Sequence, residues 1–229
     1  MNFTHSLTEY PSKMSSVTIF SPSARPVANM LLDCGAVRIR PDKPFIWASG
    51  WKSPIYCDNR ITLSFPKVRT TIKNFLAEAL KSFFPEAGAV AGVATAGIPQ
   101  AALLADALNI PLAYVRSSAK DHGMENLIEG QFTAGQQVVV VEDLVSTGGS
   151  SLKAVAALRA ANIRVLGMLS VFTYGFEAAE KQFAENRVKL VSLSDYYHLL
   201  EEAQQKQLIN SHHLTLLKAW RYDPASWNM

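Results

Sequence analysis

Two adjacent carboxylates, Glu142 and Asp143, stand between a run of four valines, Val138 to Val141, and the loop Ser146-Thr147-Gly148-Gly149-Ser150. Four β-branched residues in succession describe a strand buried on both faces, as in a parallel sheet. Open α/β sheets bind their ligands at the C-terminal ends of their strands, which is where these acids fall. The glycines let backbone N–H groups close round an anion, and Ser150 is placed to cap a helix starting near Ser151. The stretch from Leu144 and Val145 to Ser150 therefore reads as a phosphate cradle. It is neither of the common nucleotide loops, since the chain contains no G-x-x-x-x-G-K-[ST] and no G-x-G-x-x-G. Acids in contact with a phosphate would repel it, so Glu142 and Asp143 must serve another part of the same ligand. A ribose diol suits them, because ionised carboxylates only accept hydrogen bonds. Phosphate and diol together describe a ribose 5-phosphate. The bland alternative is a strand, a turn and a helix with two incidental acids.

A second group of polar residues lies upstream, in Arg116-Ser117-Ser118-Ala119-Lys120-Asp121-His122-Gly123 and on to Gly130. Arg116, Lys120 and His122 offer cationic or donor groups, while Gly123 and Gly130 provide hinges. Residues 116–134 carry no helix or strand period, and so long a loop in a compact domain is usually functional or mobile. Positive side chains on such a loop suit a leaving group of high negative charge, such as pyrophosphate, and loop closure would exclude water. Taken alone, the segment is equally well a solvated loop whose charges do nothing.

The elements that must position these groups follow from the pattern on either side. Ala28, Leu31, Leu32 and Ala36 recur at helical spacing, and Gly35 ends that helix. Phe45–Trp47 and Pro54–Cys57 read as two short strands joined through Ser49-Gly50, outside the main alternation. Pro66 opens a helix with Val68, Ile72, Phe75, Leu76, Ala79, Leu80 and Phe83 on one face. A strand over Ala89–Ala94, the loop Thr95-Ala96-Gly97, a helix over Pro99–Leu108 and a strand over Pro111–Val115 follow. The valine strand and its helix run to about Ala161, with further strands at Val165–Phe172 and Val188–Leu193. Two helices, near Asp195–Lys206 and Ser211–Trp220, close the sequence. Strands alternating with helices predict an α/β fold with a parallel sheet and right-handed crossovers.

Composition narrows the partners. The chain has 229 residues, 48% of them hydrophobic and 18% charged, with a formal charge of +3. That is enough for one α/β domain with a sizeable core, and the mild basicity suits an anionic substrate. No basic block predicts nucleic-acid binding. No apolar run reaches the roughly 18 residues of a membrane span, and no basic-then-apolar leader precedes the fold, so the expected setting is the cytoplasm. Cys34 and Cys57 lie in no metal or redox spacing and read as buried, reduced thiols. His212 and His213 are neighbours that point apart on a helix, a poor metal pair. His5 and His198 have no evident partner. Trp220 and Trp227 read as anchors for the last helix.

The stretch Glu142–Ser150 closely resembles the phosphoribosyl-pyrophosphate (PRPP) motif of type I phosphoribosyltransferases. The Arg-x-x-x-Lys-Asp-His-Gly loop, after one strand and ahead of that motif, resembles orotate phosphoribosyltransferases in particular. Two further segments agree: Lys52-Ser53-Pro54-Ile55-Tyr56-Cys57-Asp58-Asn59-Arg60 is similar to that family's N-terminal hood, and Gly92-Val93-Ala94-Thr95-Ala96-Gly97-Ile98-Pro99 to its pyrophosphate loop. The likeness runs from about Phe45 to Gly175. It implies a phosphoribosyltransferase-type core at residues 66–229 behind a helix and hood at 23–65. Residues 1–22, rich in Ser, Thr and Pro and without periodicity, read as a loose N-terminal extension, partly ordered by Val17, Ile19 and Phe20.

The resemblance also implies the chemistry. Orotate and PRPP would give orotidine 5′-monophosphate and pyrophosphate, the step that supplies pyrimidine nucleotide synthesis. Glu142, Asp143, Leu144, Val145, Ser146, Thr147, Gly148, Gly149 and Ser150 would bind the ribose 5-phosphate. Arg116, Lys120 and His122, with Thr95, Ala96 and Gly97, would hold the pyrophosphate, and Lys120, His122 and Asp143 would carry the catalysis. Ser146 would contact orotate. Mg²⁺ would be held through PRPP, and a homodimer would pass each subunit's loop over its neighbour's site. A non-proline cis peptide is implied between Ala94 and Thr95. Many members carry lysines where this chain has Ala48, Ala96 and Ser117, and an orotate-binding arginine where it has Thr173-Tyr174-Gly175-Phe176. Lys52 and Arg60 are the remaining candidates for the orotate carboxylate, and each is as readily structural. Two other functions share most of these features: transfer to a purine or to uracil, and PRPP sensing without catalysis. The hood and the Lys-Asp-His loop argue against the first, and the absence of a helix-turn-helix appendage against a DNA-binding sensor.

Overall fold

In the computed structural model, residues 16–47, 50–118 and 127–227 are described. Lys120, His122 and Gly123 lie outside them, as do residues 1–15 and Ala48.

The described chain begins with β1 (Val17–Ile19), which pairs in parallel with a strand near the end of the sequence, Val17 opposite Leu190. The Phe20 N–H donates to Ser192 O at 2.9 Å and leads directly into α1 (Ser21–Asp33). The boundary expected at residue 22 is therefore too late, because β1 and all of α1 belong to the core. Three residues of strand are too few for alternation to show in a sequence. Gly35, at φ +74°, ends α1 as expected.

The hood contains β2 (Val37–Ile39), β3 (Phe45–Ile46), β4 (Lys52–Ser53) and β5 (Ile55–Cys57). Here the expected pairing is corrected: β3 pairs with β4, whereas β5 pairs with β2. Pro54 has no N–H for a ladder, so the second segment divides there and each half finds its own partner. A 3₁₀ turn (Asn59–Ser64), whose first N–H groups are capped by Asp58, passes into α2 (Pro66–Phe83).

The main alternation follows: β6 (Ala89–Val93), α3 (Gly97–Leu108), β7 (Leu112–Val115), β8 (Ile128–Glu129), β9 (Gln137–Val145), α4 (Gly149–Ala160), β10 (Arg164–Thr173), α5 (Glu177–Glu185), β11 (Leu190–Asp195), α6 (Tyr196–Gln205) and α7 (Ser211–Tyr222). Seven strands form one sheet in the order β1-β11-β10-β9-β6-β7-β8. All neighbours are parallel except β8, which runs against β7 with Ile128 opposite Val115. The sheet is thus mostly parallel, with one antiparallel edge that two residues were too short to announce. Sequence periodicity also missed α5, whose buried positions are Ala179 and Phe183. Two anchors do not make a legible stripe.

Successive residues of the central strands serve opposite faces. Val139, Val141, Leu169, Val171, Val191 and Leu193 pack with α1, α2, α3, α6 and α7, while Val138, Val140, Met168 and Leu190 pack with α4 and α5. From β6 the chain first moves outward to β7 and β8, then returns to the other flank of β6 with β9. Helices α3 and α4 leave these two strands on opposite faces, which opens a crevice at their C-terminal ends.

The C-terminal helices close over the hood side. Trp220 is fully buried, and its indole N–H donates to Lys52 O at 3.1 Å; Trp227 packs half-buried against the same core. His198 has a partner after all: Asp195 caps α6 by accepting the His198 N–H at 2.9 Å and lies 2.7 Å from the ring Nδ1. An acid three residues ahead of a histidine at a helix start was the available signal.

Candidate active site

Strand β9 pairs with β6 only as far as Val141, but with β10 as far as Val145, opposite Thr173. The strand therefore includes both acids instead of ending before them, and leaves one edge of residues 142–145 open to the crevice. Facing it is the start of α3. The peptide bond Ala94–Thr95 is cis, at the position the family resemblance implied. Thr95 is exposed and Ala96 half-buried, whereas Gly97 is buried against β9. A Cβ at Gly97 would stand 2.5 Å from Val141 O and 3.2 Å from Glu142 Cα, so this approach admits glycine alone.

The two acids meet at the strand end, yet they are not equivalent. Glu142 is 6% exposed; its Oε1 accepts the Asp143 N–H at 3.0 Å and its Oε2 accepts the Ser151 hydroxyl at 3.0 Å. Burial, and then the neighbouring Asp143 charge, hold the Glu142 carboxyl well above the ordinary glutamate range. Asp143 is half-buried and is raised less, again by burial. Glu142 thus braces the base of α4 against β9, while Asp143 is the acid at the edge of the crevice.

The brace carries a pH signature. A carboxyl whose folded-state pKa is raised contributes most below its unfolded pKa, and that contribution is lost as pH rises through the folded value. Glu142→Gln has no proton to lose there. The melting temperature of Glu142→Gln relative to wild type should therefore climb between pH 5 and pH 8, on the order of 2–4 °C for each kcal/mol relieved. Parallel melting curves across that range would show that Glu142 titrates as an ordinary carboxylate.

Beyond Asp143, half-buried Ser146 and Thr147 lead to buried Gly148, which stands at φ +86° as the N-cap of α4. Ser150 is not the cap: the helix begins earlier, and no side chain caps it. The reason is steric, since a Cβ at Gly148 would lie 2.8 Å from the Phe183 ring and the left-handed backbone favours glycine. The first N–H groups of α4 have no helical acceptors and no acidic residue follows in the first turn, which leaves a cradle for an anion.

Arg116 extends from the end of β7. Its main-chain N–H donates to Leu127 O at 2.8 Å, and Nη1 lies 3.6 Å from Glu129, too far for a hydrogen bond. Nη1 is buried with no hydrogen-bond partner among the described residues, so this guanidinium has a donor to give an anionic ligand. Arg60, one of the two orotate candidates, is instead forked onto Asp58, with Nε at 2.7 Å and Nη2 at 2.8 Å. Lys52 is exposed at the hood, and its main chain receives Trp220.

Three residues enter the site without having been singled out. Ser151 holds Glu142. Asn59, fully buried, donates to Asp143 O at 2.6 Å and accepts the Cys57 thiol at 3.4 Å, which fixes the hood to the acid strand. Cys57 is free, and burial pushes its thiol well up. Arg221, from α7, donates Nε to Tyr174 O at 3.1 Å and Nη2 to Gly175 O. Asn59 lies inside a motif already quoted and Ser151 directly follows one; Arg221 lies in a helix to which those motifs do not extend.

Comparison with known proteins agrees with this geometry. Residues 63–200 match the family model described as "Phosphoribosyl transferase domain". The orotate phosphoribosyltransferase of Cytophaga hutchinsonii is 53% identical over 201 residues, 88% of this chain and 96% of that protein. Among solved structures, the orotate phosphoribosyltransferase of Aeropyrum pernix superposes with a TM-score of 0.70 at 33% identity, covering 80% of this chain and 99% of that one. The UMP synthase of Leishmania donovani gives a TM-score of 0.72 at 27% identity, over 86% of this chain but only 41% of that longer one. With a family model matched over residues 63–200 and a curated relative 53% identical over 96% of its length, the chain belongs to the orotate phosphoribosyltransferase family.

Proposed function

We propose that the protein transfers the ribose 5-phosphate of PRPP to orotate, forming orotidine 5′-monophosphate and pyrophosphate for pyrimidine synthesis. The observation that carries this reading is Asp143, half-buried on an open strand edge beside an uncapped, glycine-led helix start. The 5-phosphate accepts hydrogen bonds from the loop Ser146–Ser150, where the α4 dipole also favours negative charge. The ribose hydroxyls donate to Asp143, whose main chain Glu142 and Asn59 hold from both sides.

Orotate's ring nitrogen then attacks the anomeric carbon as the bond to pyrophosphate breaks. Positive charge grows on the ribose, and negative charge on the leaving oxygen. The Asp143 carboxylate favours the first, and Nη1 of Arg116, which has no hydrogen-bond partner among the described residues, receives the second. Thr95, Ala96 and Gly97 line the pyrophosphate side, and Lys120 and His122 complete it when the loop closes. Ser146 contacts orotate. Fixing both reactants in one geometry supplies much of the remaining acceleration.

Mg²⁺ fits as a companion of PRPP, neutralising charge on the diphosphate. Both Glu142 oxygens are already engaged inside the protein, so the ion would be held chiefly through PRPP itself. The working form is a homodimer in which each loop crosses to the neighbouring site, and the setting is the cytoplasm, in keeping with two free thiols. Among the described residues, no helix is long and apolar enough to cross a membrane. The direct assay mixes protein, PRPP, Mg²⁺ and orotate. Loss of orotate absorbance with stoichiometric pyrophosphate release is expected, whereas turnover only with uracil or a purine would replace the acceptor.

A further inference from the structure

A cleft of about 350 Å³ opens beside the phosphate loop, lined by Thr147, by Trp51 of the hood, by Phe176 and Lys181 at α5, and by Arg221 and Tyr222 at the end of α7. Of its cations, Arg221 is the one held in a fixed pose. Its Nε and Nη2 donate to the successive carbonyls of Tyr174 and Gly175, and its guanidinium lies 4.5 Å from the Tyr197 ring centre. Gly175 makes room for this, at φ +62°, since a Cβ there would stand 3.2 Å from Nη2. Among the described residues, the partners of Arg221 are these carbonyls and that ring, with no carboxylate. Carbonyls orient a guanidinium without neutralising it, and three of its five N–H groups remain to be given. A planar cation of fixed orientation, beside a loop that takes the sugar phosphate, is matched to a planar carboxylate.

The acceptor in the proposed reaction is a flat ring bearing one carboxylate. We infer that Arg221 receives that carboxylate, with Trp51 and Phe176 as the apolar walls of the ring site. This rests on the proposed function and identifies the group that distinguishes orotate from an uncharged pyrimidine. Glu177 also borders the cleft, and its charge sets the opposite bias, which sharpens the need for a cation at Arg221. Lys181 shares the cleft but comes from the exposed side of α5. Arg60 is spent on Asp58, as its forked contact shows.

The test compares wild type, Arg221→Gln and Arg221→Lys. Measured are KM for orotate, KM for PRPP, and inhibition by the neutral carboxamide of orotate. Wild type should favour orotate over the carboxamide. In Arg221→Gln, KM for orotate should rise on the order of 10–100-fold, as for a lost charge-assisted contact, while the carboxamide binds as before and KM for PRPP stays within about twofold. Arg221→Lys keeps the charge without the fork and should fall between, which also keeps the test open if the glutamine variant does not fold. Equal weakening of orotate and carboxamide would reduce Arg221 to a clamp on the Tyr174–Gly175 turn and overturn the inference. Unchanged orotate KM in either folded variant would overturn it as well. If wild type itself makes no product from orotate, the proposed function fails first and the inference falls with it.

Discussion

Asp143→Asn should fold like wild type and lose on the order of 10²-fold in kcat, the scale of one preorganised electrostatic contact. The substitution is nearly isosteric, and the main chain at this position is held independently of the side chain. Glu142 accepts its N–H at 3.0 Å and Asn59 donates to its carbonyl at 2.6 Å, so the strand edge should not move. What disappears is a negative charge beside the ribose as the anomeric carbon becomes cationic. The loss should therefore fall on kcat more than on KM for PRPP, because the ground-state ribose is neutral. The acid limb of the pH–rate profile adds a second readout. Burial raises the Asp143 carboxyl above the ordinary aspartate range, so wild-type activity should fall on acidification at a higher pH than a solvated aspartate would give, and the variant should lack that limb. A folded Asp143→Asn enzyme working at the wild-type rate would remove Asp143 from the ribose site.

This residue also shows where sequence alone is informative. The run Val138–Val141 is legible because burial on both faces of a sheet demands β-branched side chains at every position. The acids are legible because they fall at a strand's C-terminal end, where open α/β sheets bind their ligands. Their inequality is not, since it depends on Ser151, which reaches Glu142 only after α4 folds back onto β9. Distance in the chain hides the remaining parts for the same reason. Asn59 meets Asp143 across 84 positions, and Arg221 meets Gly175 across 46, so no local period or spacing announces either pair. Gly148 was visible as a loop glycine. Its place as the cap, in preference to Ser150, is set by the Phe183 ring of α5, a helix with too few apolar positions to be seen beforehand.

Mixing two inactive variants should restore about a quarter of wild-type activity if each active-site loop serves the neighbouring subunit. Lys120→Ala removes a loop cation, and Asp143→Asn disables the body of the site; each alone should retain about 1% of activity or less on the scale of a lost transition-state contact. In a two-fold dimer with loops in trans, a homodimer of either variant has the same defect at both sites. Random exchange between equal amounts gives hybrids as half of all dimers. Within each hybrid, one site joins the intact body of the Lys120→Ala chain to the intact loop of the Asp143→Asn chain, and the other site collects both defects. One site in four is then whole. A loop acting in cis leaves a defect in every site, and mixing changes nothing. The two arrangements differ by more than tenfold in the same assay, and mass-tagged subunits report independently that exchange has occurred. Recovery should also disappear when both substitutions are carried on one chain and mixed with itself, since no intact body or loop then remains. With exchange demonstrated, an unrecovered mixture would place each loop over its own subunit's site.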